Sequence, residues 1–120
     1  MAVRAVRGAT CLQADDRDEM HDAVVELVAG ILERNGLTTD DLISIVFTAT
    51  PDLHSDFPAA AARQLALGDV PLLCAQEIDV TGALPRVVRV LLHADTPLAR
   101  GEITHVYLRG AEVLRKDLAQ

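Results

Sequence analysis

The chain has 120 residues and a formal net charge of -7, with hydrophobic residues at 50% and charged residues at 24%. That length favours one domain over residues 1–120, because two independent cores would be hard to fit, and the composition is globular rather than disordered. Aromatic residues are only 2% (Phe47, Phe57 and Tyr107, with no Trp), which excludes a base-stacking platform for single-stranded nucleic acid, and an acidic chain lacks the cations that a phosphate-backbone binder needs.

The longest uncharged apolar stretch, residues 42–51, is about half of the ~20 residues that a membrane span requires. Arg4 and Arg7 near the N-terminus are followed by no continuous apolar run, so no signal peptide is expected. Cys11 and Cys74 lie far apart and match no paired metal-ligand spacing. A reduced, cytoplasmic protein is the natural reading. Every basic residue except Lys116 is Arg. Arginine presents a planar fork of donors suited to carboxylates and stays charged when partly buried. An acidic chain with arginines gathered in one cleft can therefore still bind an anionic small molecule.

Residues 3–10 (VRAVRGAT) read as a strand ending in a turn at Gly8. The acidic run at 15–19 precedes a helical stripe of Met20, Val24, Leu27, Val28, Ile31 and Leu32. Its carboxylates suit a helix N-terminus, with a start near Asp16 and a stop at Asn35-Gly36, where Gly supplies a left-handed cap. Residues 38–41 (TTDD) read as a short capped turn, and residues 42–50 (LISIVFTAT) as a buried strand by length and β-branched content. A second helix is expected from Asp56 as N-cap and Pro58 in the first turn, through residues 59–65 to Gly68. Further strands are expected at 70–74 and at 87–92 (VVRVLL), and residues 104–108 with 111–114 make one or two more. This order predicts an α/β chain of α+β character, a mixed β-sheet with helices on one face.

Three charges do not fit so plain a scheme. Arg89 interrupts an apolar strand, Glu77 follows another closely, and Arg7 ends the first. A charge inside such a run is costly unless it is paired or faces a polar cleft. Arg89 could lie on the solvent side of an edge strand, form a structural salt bridge with Glu77, or face a binding cleft. No phosphate-binding glycine loop, nucleophile elbow or paired-histidine motif is present, and His21, His54, His93 and His105 read as surface or packing residues.

The segments VRAVRGAT (3–10), TATPDLHSDFPAAAAR (48–63), CAQEIDVTG (74–82), RVVRVLLH (86–93), ITHVYL (103–108) and VLRKDL (113–118), in that order, resemble the monofunctional bacterial chorismate mutases of the small trimeric α/β class. The resemblance covers nearly the whole chain. It implies a homotrimeric pseudo-barrel with active sites at the subunit interfaces. The implied activity is isomerisation of chorismate to prephenate, on the branch of the shikimate pathway toward phenylalanine and tyrosine. The implied chemistry is an intramolecular Claisen rearrangement with no cofactor, metal or covalent intermediate. Such a reaction needs a flexible dianion held in its reactive conformer and charge stabilised as the ether bond breaks.

By the same resemblance, Arg89 faces the ether oxygen and Glu77 binds the ring hydroxyl near the positive side of the transition state. Arg7 and Tyr107 hold a carboxylate and the hydroxyl-side oxygens, and Arg63 helps with the other carboxylate. Phe57, Ala59, Leu72, Leu73 and Cys74 form the pocket wall, with Leu114 and Arg115 contributing from the C-terminus. Ala60, Leu73 and Pro85 depart from the family pattern and bear on substrate capture more than on chemistry. Two other readings compete: a non-catalytic trimer that senses a small carboxylate, and an imine-hydrolysing deaminase on a similar scaffold. The blocks above do not look like the deaminase motifs.

Overall fold

The computed structural model of the chain describes the backbone of residues 1–118 and the side chains through residue 114. Five strands form one sheet: β1 (Ala2–Cys11), β2 (Leu42–Ala49), β3 (Leu72–Gln76), β4 (Val87–Thr96) and β5 (Val106–Leu108). Their order is β3-β2-β4-β1-β5. The sheet is mixed: β1 and β2 flank β4 antiparallel, while β3 runs parallel to β2 and β5 parallel to β1. Two helices, α1 (Arg17–Arg34) and α2 (Pro58–Ala62), pack on one face.

Helix α1 forms where its stripe predicts. Met20, Val24, Leu27, Val28 and Ile31 are fully buried against Val6, Ile45, Phe47, Val88, Val90 and Leu92 of the sheet. Each such burial contributes on the order of 1.5–3 kcal/mol. Asp16 caps the helix by accepting from the Glu19 N–H at 2.8 Å, and the Glu19 carboxylate reaches back to the N–H groups of Gln13 and Ala14. At the other end Gly36 takes φ +62, with Gly36 N–H donating to Glu33 O and Leu37 N–H to Leu32 O. These are the two bonds of a glycine-ended helix cap.

The second helix departs from expectation. It is one short turn, its N-cap is Phe57 rather than Asp56, and it tightens into a 3-10 turn at Arg63–Leu65 that ends at left-handed Ala66 (φ 54), short of Gly68. Asp56 is otherwise engaged. One carboxylate oxygen accepts from the Phe57 N–H (2.7 Å); the other meets His21 Nε2 at 2.8 Å and accepts from Arg17 Nε at 3.1 Å. His21 is thus a tether between α1 and the α2 segment, and its Nδ1 accepts from Gln64 Nε2 at 2.8 Å. The His21 contact, then the Phe57 N–H and then Arg17, hold the Asp56 carboxyl down to about 2.

The C-terminal region also differs. Residues 111–114 are not a strand but the start of a 3-10 segment, Ala111–Leu118. Left-handed Arg109 (φ 53) and Gly110 (φ 93) turn the chain off the end of β5. Ala111 and Leu114 then pack on Ala9, Val87 and Tyr107 at one end of the other sheet face.

Candidate active site

Strand alternation puts a second set of side chains on the face away from the helices. Val6, Phe47, Val90 and Leu92 point to the helices; Arg7, Ala9, Val46, Thr48, Arg89, Leu91 and Tyr107 point the other way. β4 lies between β1 and β2, so Arg89 is on a central strand and the edge-strand explanation of its charge fails. Its register partners are Ala9 on β1 and Thr48 on β2. Glu77 follows β3, where its N–H donates to Ala49 O at 2.8 Å and carries its carboxylate over the β2 end of this face.

The charges meet there. Arg89 Nε lies 2.6 Å from Glu77 Oε1, and Thr48 Oγ1 donates to Glu77 Oε2 at 2.8 Å. The Nε hydrogen is not directed at a hydrogen-bond acceptor, so the contact is coulombic rather than an aligned hydrogen bond. The Arg89 side chain remains 44% exposed and the Glu77 side chain 21%. Arg89, Glu77, Thr48, Arg7 and Tyr107 together line a cleft of about 340 Å³. Two cations, a carboxylate, a hydroxyl and a phenol thus face one concave, mostly apolar space, the arrangement of a site for a small polar anion. Among the described residues, no group of three or more His, Cys, Asp or Glu is placed to hold a metal ion.

The residues expected on the pocket wall are dispersed. Leu72 and Cys74 share the register of Ile45 and Phe47, so they pack toward the helix-covered core instead of the cleft. Ala59 is buried inside α2 and also belongs to the core. Phe57 is 70% exposed and, with Cys74, lines a different depression of about 450 Å³ at the β2–β3 end. Leu73 is exposed on the cleft side of β3. Arg63 stands exposed on its 3-10 turn. Leu114 packs beside Tyr107, and the Arg115 side chain lies outside the described residues. Sequence reasoning missed Thr48, whose signal was its place in the alternation of β2, in register with Arg89.

The chain matches the family model "Chorismate mutase type I" over residues 3–118. It belongs to the chorismate mutase type I family. Among similar proteins, the chorismate mutase AroH of Thermus thermophilus is 46% identical over 117 residues, covering 97% of this chain and 96% of that one. Its namesake in Bacillus subtilis is 40% identical over 120 residues, covering 99% and 94%. A solved chorismate mutase from Clostridium thermocellum superimposes with a TM-score of 0.89 at 44% identity, covering 91% of this chain and 97% of that one. The mixed sheet with its helices on one face is thus the fold of a chorismate mutase.

Proposed function

We propose that the cleft on the open sheet face is where this chorismate mutase, an isomerase, converts chorismate to prephenate. We further propose that three copies of the chain, each a single domain, close three such sites in a homotrimeric pseudo-barrel. The observation that carries the reading is the Arg89–Glu77 pair, set on a central strand yet open to a cleft. A partly exposed pair contributes little to stability, so structure alone is a weak reason to keep two charges in the middle of the sheet, whereas a polar cleft gives them a ligand to meet.

The rearrangement is intramolecular: the ether C–O bond breaks as a C–C bond forms, and no proton or group leaves. The enolpyruvyl ether oxygen gains negative charge in the transition state while the ring gains positive charge. Arg89 faces the oxygen. Glu77, its carboxylate oriented by Thr48, takes the ring hydroxyl and sits by the positive side. Arg7 and Tyr107 hold substrate oxygens, which restricts a flexible dianion to its compact conformer. Fixed charges of this kind act where charge develops, so they raise kcat rather than affinity alone.

Phe57 and Arg63, both expected at the pocket, are not among the residues lining the cleft of their own chain, and this supports the trimer. Exposed Phe57 and Arg63 are available to a neighbour, so that the partner subunit's Phe57 and Arg63 would close the cleft of this one. The reading places the enzyme in the cytoplasm, in keeping with two free thiols, Cys11 and Cys74.

Steady-state kinetics on Arg89→Met, shown to be folded and of native size, tests the assignment. We expect kcat to fall on the order of 10³-fold with a smaller change in KM. A rise in KM alone would make Arg89 a carboxylate anchor. Sedimentation should give three times the 12.9 kDa chain mass; a fully active monomer would remove the interfacial site.

A further inference from the structure

Helix α2 has little of its own to hold it in place. It is five residues long, and the side chains it buries are Pro58, Ala59, Ala61 and Ala62. So short a helix is far from stable alone in water. Alanine methyls bury little area and grip without direction. Yet the residues at its two ends, Phe57 and Arg63, are those proposed to close a neighbouring cleft, where a displacement of about 1 Å is costly.

One side chain reaches both ends. His21, on α1, meets Asp56 Oδ2 through Nε2 at 2.8 Å and Gln64 Nε2 through Nδ1 at 2.8 Å. Asp56 directly precedes Phe57, and Gln64 directly follows Arg63. The Asp56 carboxyl is held down to about 2, so at neutral pH it only accepts, and His21 Nε2 carries the proton. Nδ1 of the neutral ring then accepts from the Gln64 amide, and a single tautomer satisfies both bonds. The His21 and Asp56 side chains are 17% and 18% exposed, so the clasp is largely shielded from competing water. The stretch ahead of it is anchored at the same end of α1: Asp15 Oδ1 accepts from the N–H groups of His54 and Ser55 at 2.9 and 3.0 Å. Asp15 belongs to the acidic run at 15–19, but the helix cap itself is Asp16.

We propose that His21 is a positioning residue for substrate capture: by holding Asp56 and Gln64 at once, it fixes where Phe57 and Arg63 stand relative to the sheet. This role rests on the interfacial site proposed for those two residues. His21 itself touches no substrate. Arg89 and Glu77 keep the charge stabilisation, so His21 acts on binding more than on turnover.

Steady-state kinetics and backbone hydrogen exchange on the assembled, full-length protein test this. His21→Leu fills the space but loses both bonds. KM for chorismate should rise roughly tenfold, with kcat within about threefold of native. His21→Gln keeps one donor and one acceptor and should restore most of the affinity. Gln64→Ala, at an exposed position, should give a smaller rise in KM. In His21→Leu the amides of residues 57–66 should exchange faster than in the native chain. Native KM in His21→Leu, a fall in kcat alone, or no recovery in His21→Gln overturns the inference. If His21→Leu does not assemble, Gln64→Ala decides, and native KM there overturns it equally. Arg63→Gln separates the clasp from the site it serves. Raised KM in Arg63→Gln beside native KM in His21→Leu refutes the clasp alone. Native KM in both, with faster exchange in His21→Leu, refutes the interfacial role of the segment.

Discussion

Gly8→Ala measures how closely α1 is pressed onto the sheet behind the cleft. A Cβ at Gly8 would sit 2.9 Å from Val90 Cγ1, 3.0 Å from Ile31 Cδ1 and 3.0 Å from the Val106 carbonyl oxygen. Carbon contacts are normally about 3.5–4.0 Å, so the added methyl is too close on three sides at once. The oxygen belongs to the β5 backbone and Ile31 is fully buried in α1, so neither yields cheaply. Overpacking of this kind costs about 1–3 kcal/mol, and the better strand conformation of Ala over Gly returns about 0.5–1 kcal/mol. The net expectation is a loss of roughly 1–2 kcal/mol. Urea unfolding followed by circular dichroism should show a lower midpoint at unchanged slope. Arg7 is the adjacent residue, so a strand displaced by a few tenths of an ångström should also cost roughly tenfold in kcat/KM. Ile31→Val removes one of the three obstructing atoms, and the double variant should lose less than the two single losses combined. Native stability in Gly8→Ala, or strict additivity in the pair, would refute the close-packing argument.

Glu77→Gln keeps the shape and one acceptor but removes the charge, and kcat should fall roughly 10²-fold or more; near-native turnover would leave Glu77 a structural partner of Arg89. Cys74→Ser should keep kcat within a few-fold, because the half-buried thiol packs toward the core and the reaction needs no nucleophile, while stability falls by no more than about 1 kcal/mol from partial burial of a hydroxyl. Mass spectra showing an adduct at Cys74 during turnover would contradict this. Asp56→Asn should flatten the acid limb of the stability curve. The Asp56 carboxyl is held down to about 2 in the folded chain against an ordinary 3.8, so its contribution is complete above the ordinary value and fades as pH falls through about 2. The variant should be less stable than the native chain at neutral pH, and denaturant midpoints should converge at the acid end; a constant gap across the whole range would rule this out.

Local chemistry decided which parts could be read from residues. The α1 stripe, its Asp16 cap and its Gly36 stop are all written within one segment, and they appear where expected. The presence of β1 to β5 was also legible, although β1 runs unbroken through Gly8, where a turn was expected, to Cys11; so were the odd charges Arg7, Glu77 and Arg89, because a cation in VVRVLL conflicts with burial. Asp56 looked like a cap because capping is a local rule; it is drawn away by His21 and Arg17 from 35 and 39 residues earlier. Residues 111–114 read as a strand by their apolar content, but left-handed Arg109 and Gly110 turn them off the end of β5 and onto the other sheet face. Cys74 and Leu72 follow the parity of β3, which pairing with β2 fixes and which no single segment reveals. The role of Thr48 depends on its register with Arg89, again a property of two strands together.

The sheet order has a consequence for synthesis. β1 pairs along its whole length with β4, from Ala2 with Thr96 to Cys11 with Val87, and then with β5. The first strand to leave the ribosome is therefore the one whose neighbours are made last. α1 can coil early, but the central ladder must wait until nearly the entire chain has emerged. Loops this long make the closing step slow and leave an unpaired strand exposed in the meantime. Arg7 arrives on that early strand and Arg89 on the late one, so a chain that lacks β4 lacks both the central ladder and the cleft. Recovery of turnover during refolding should follow final sheet closure rather than the earlier gain of helix.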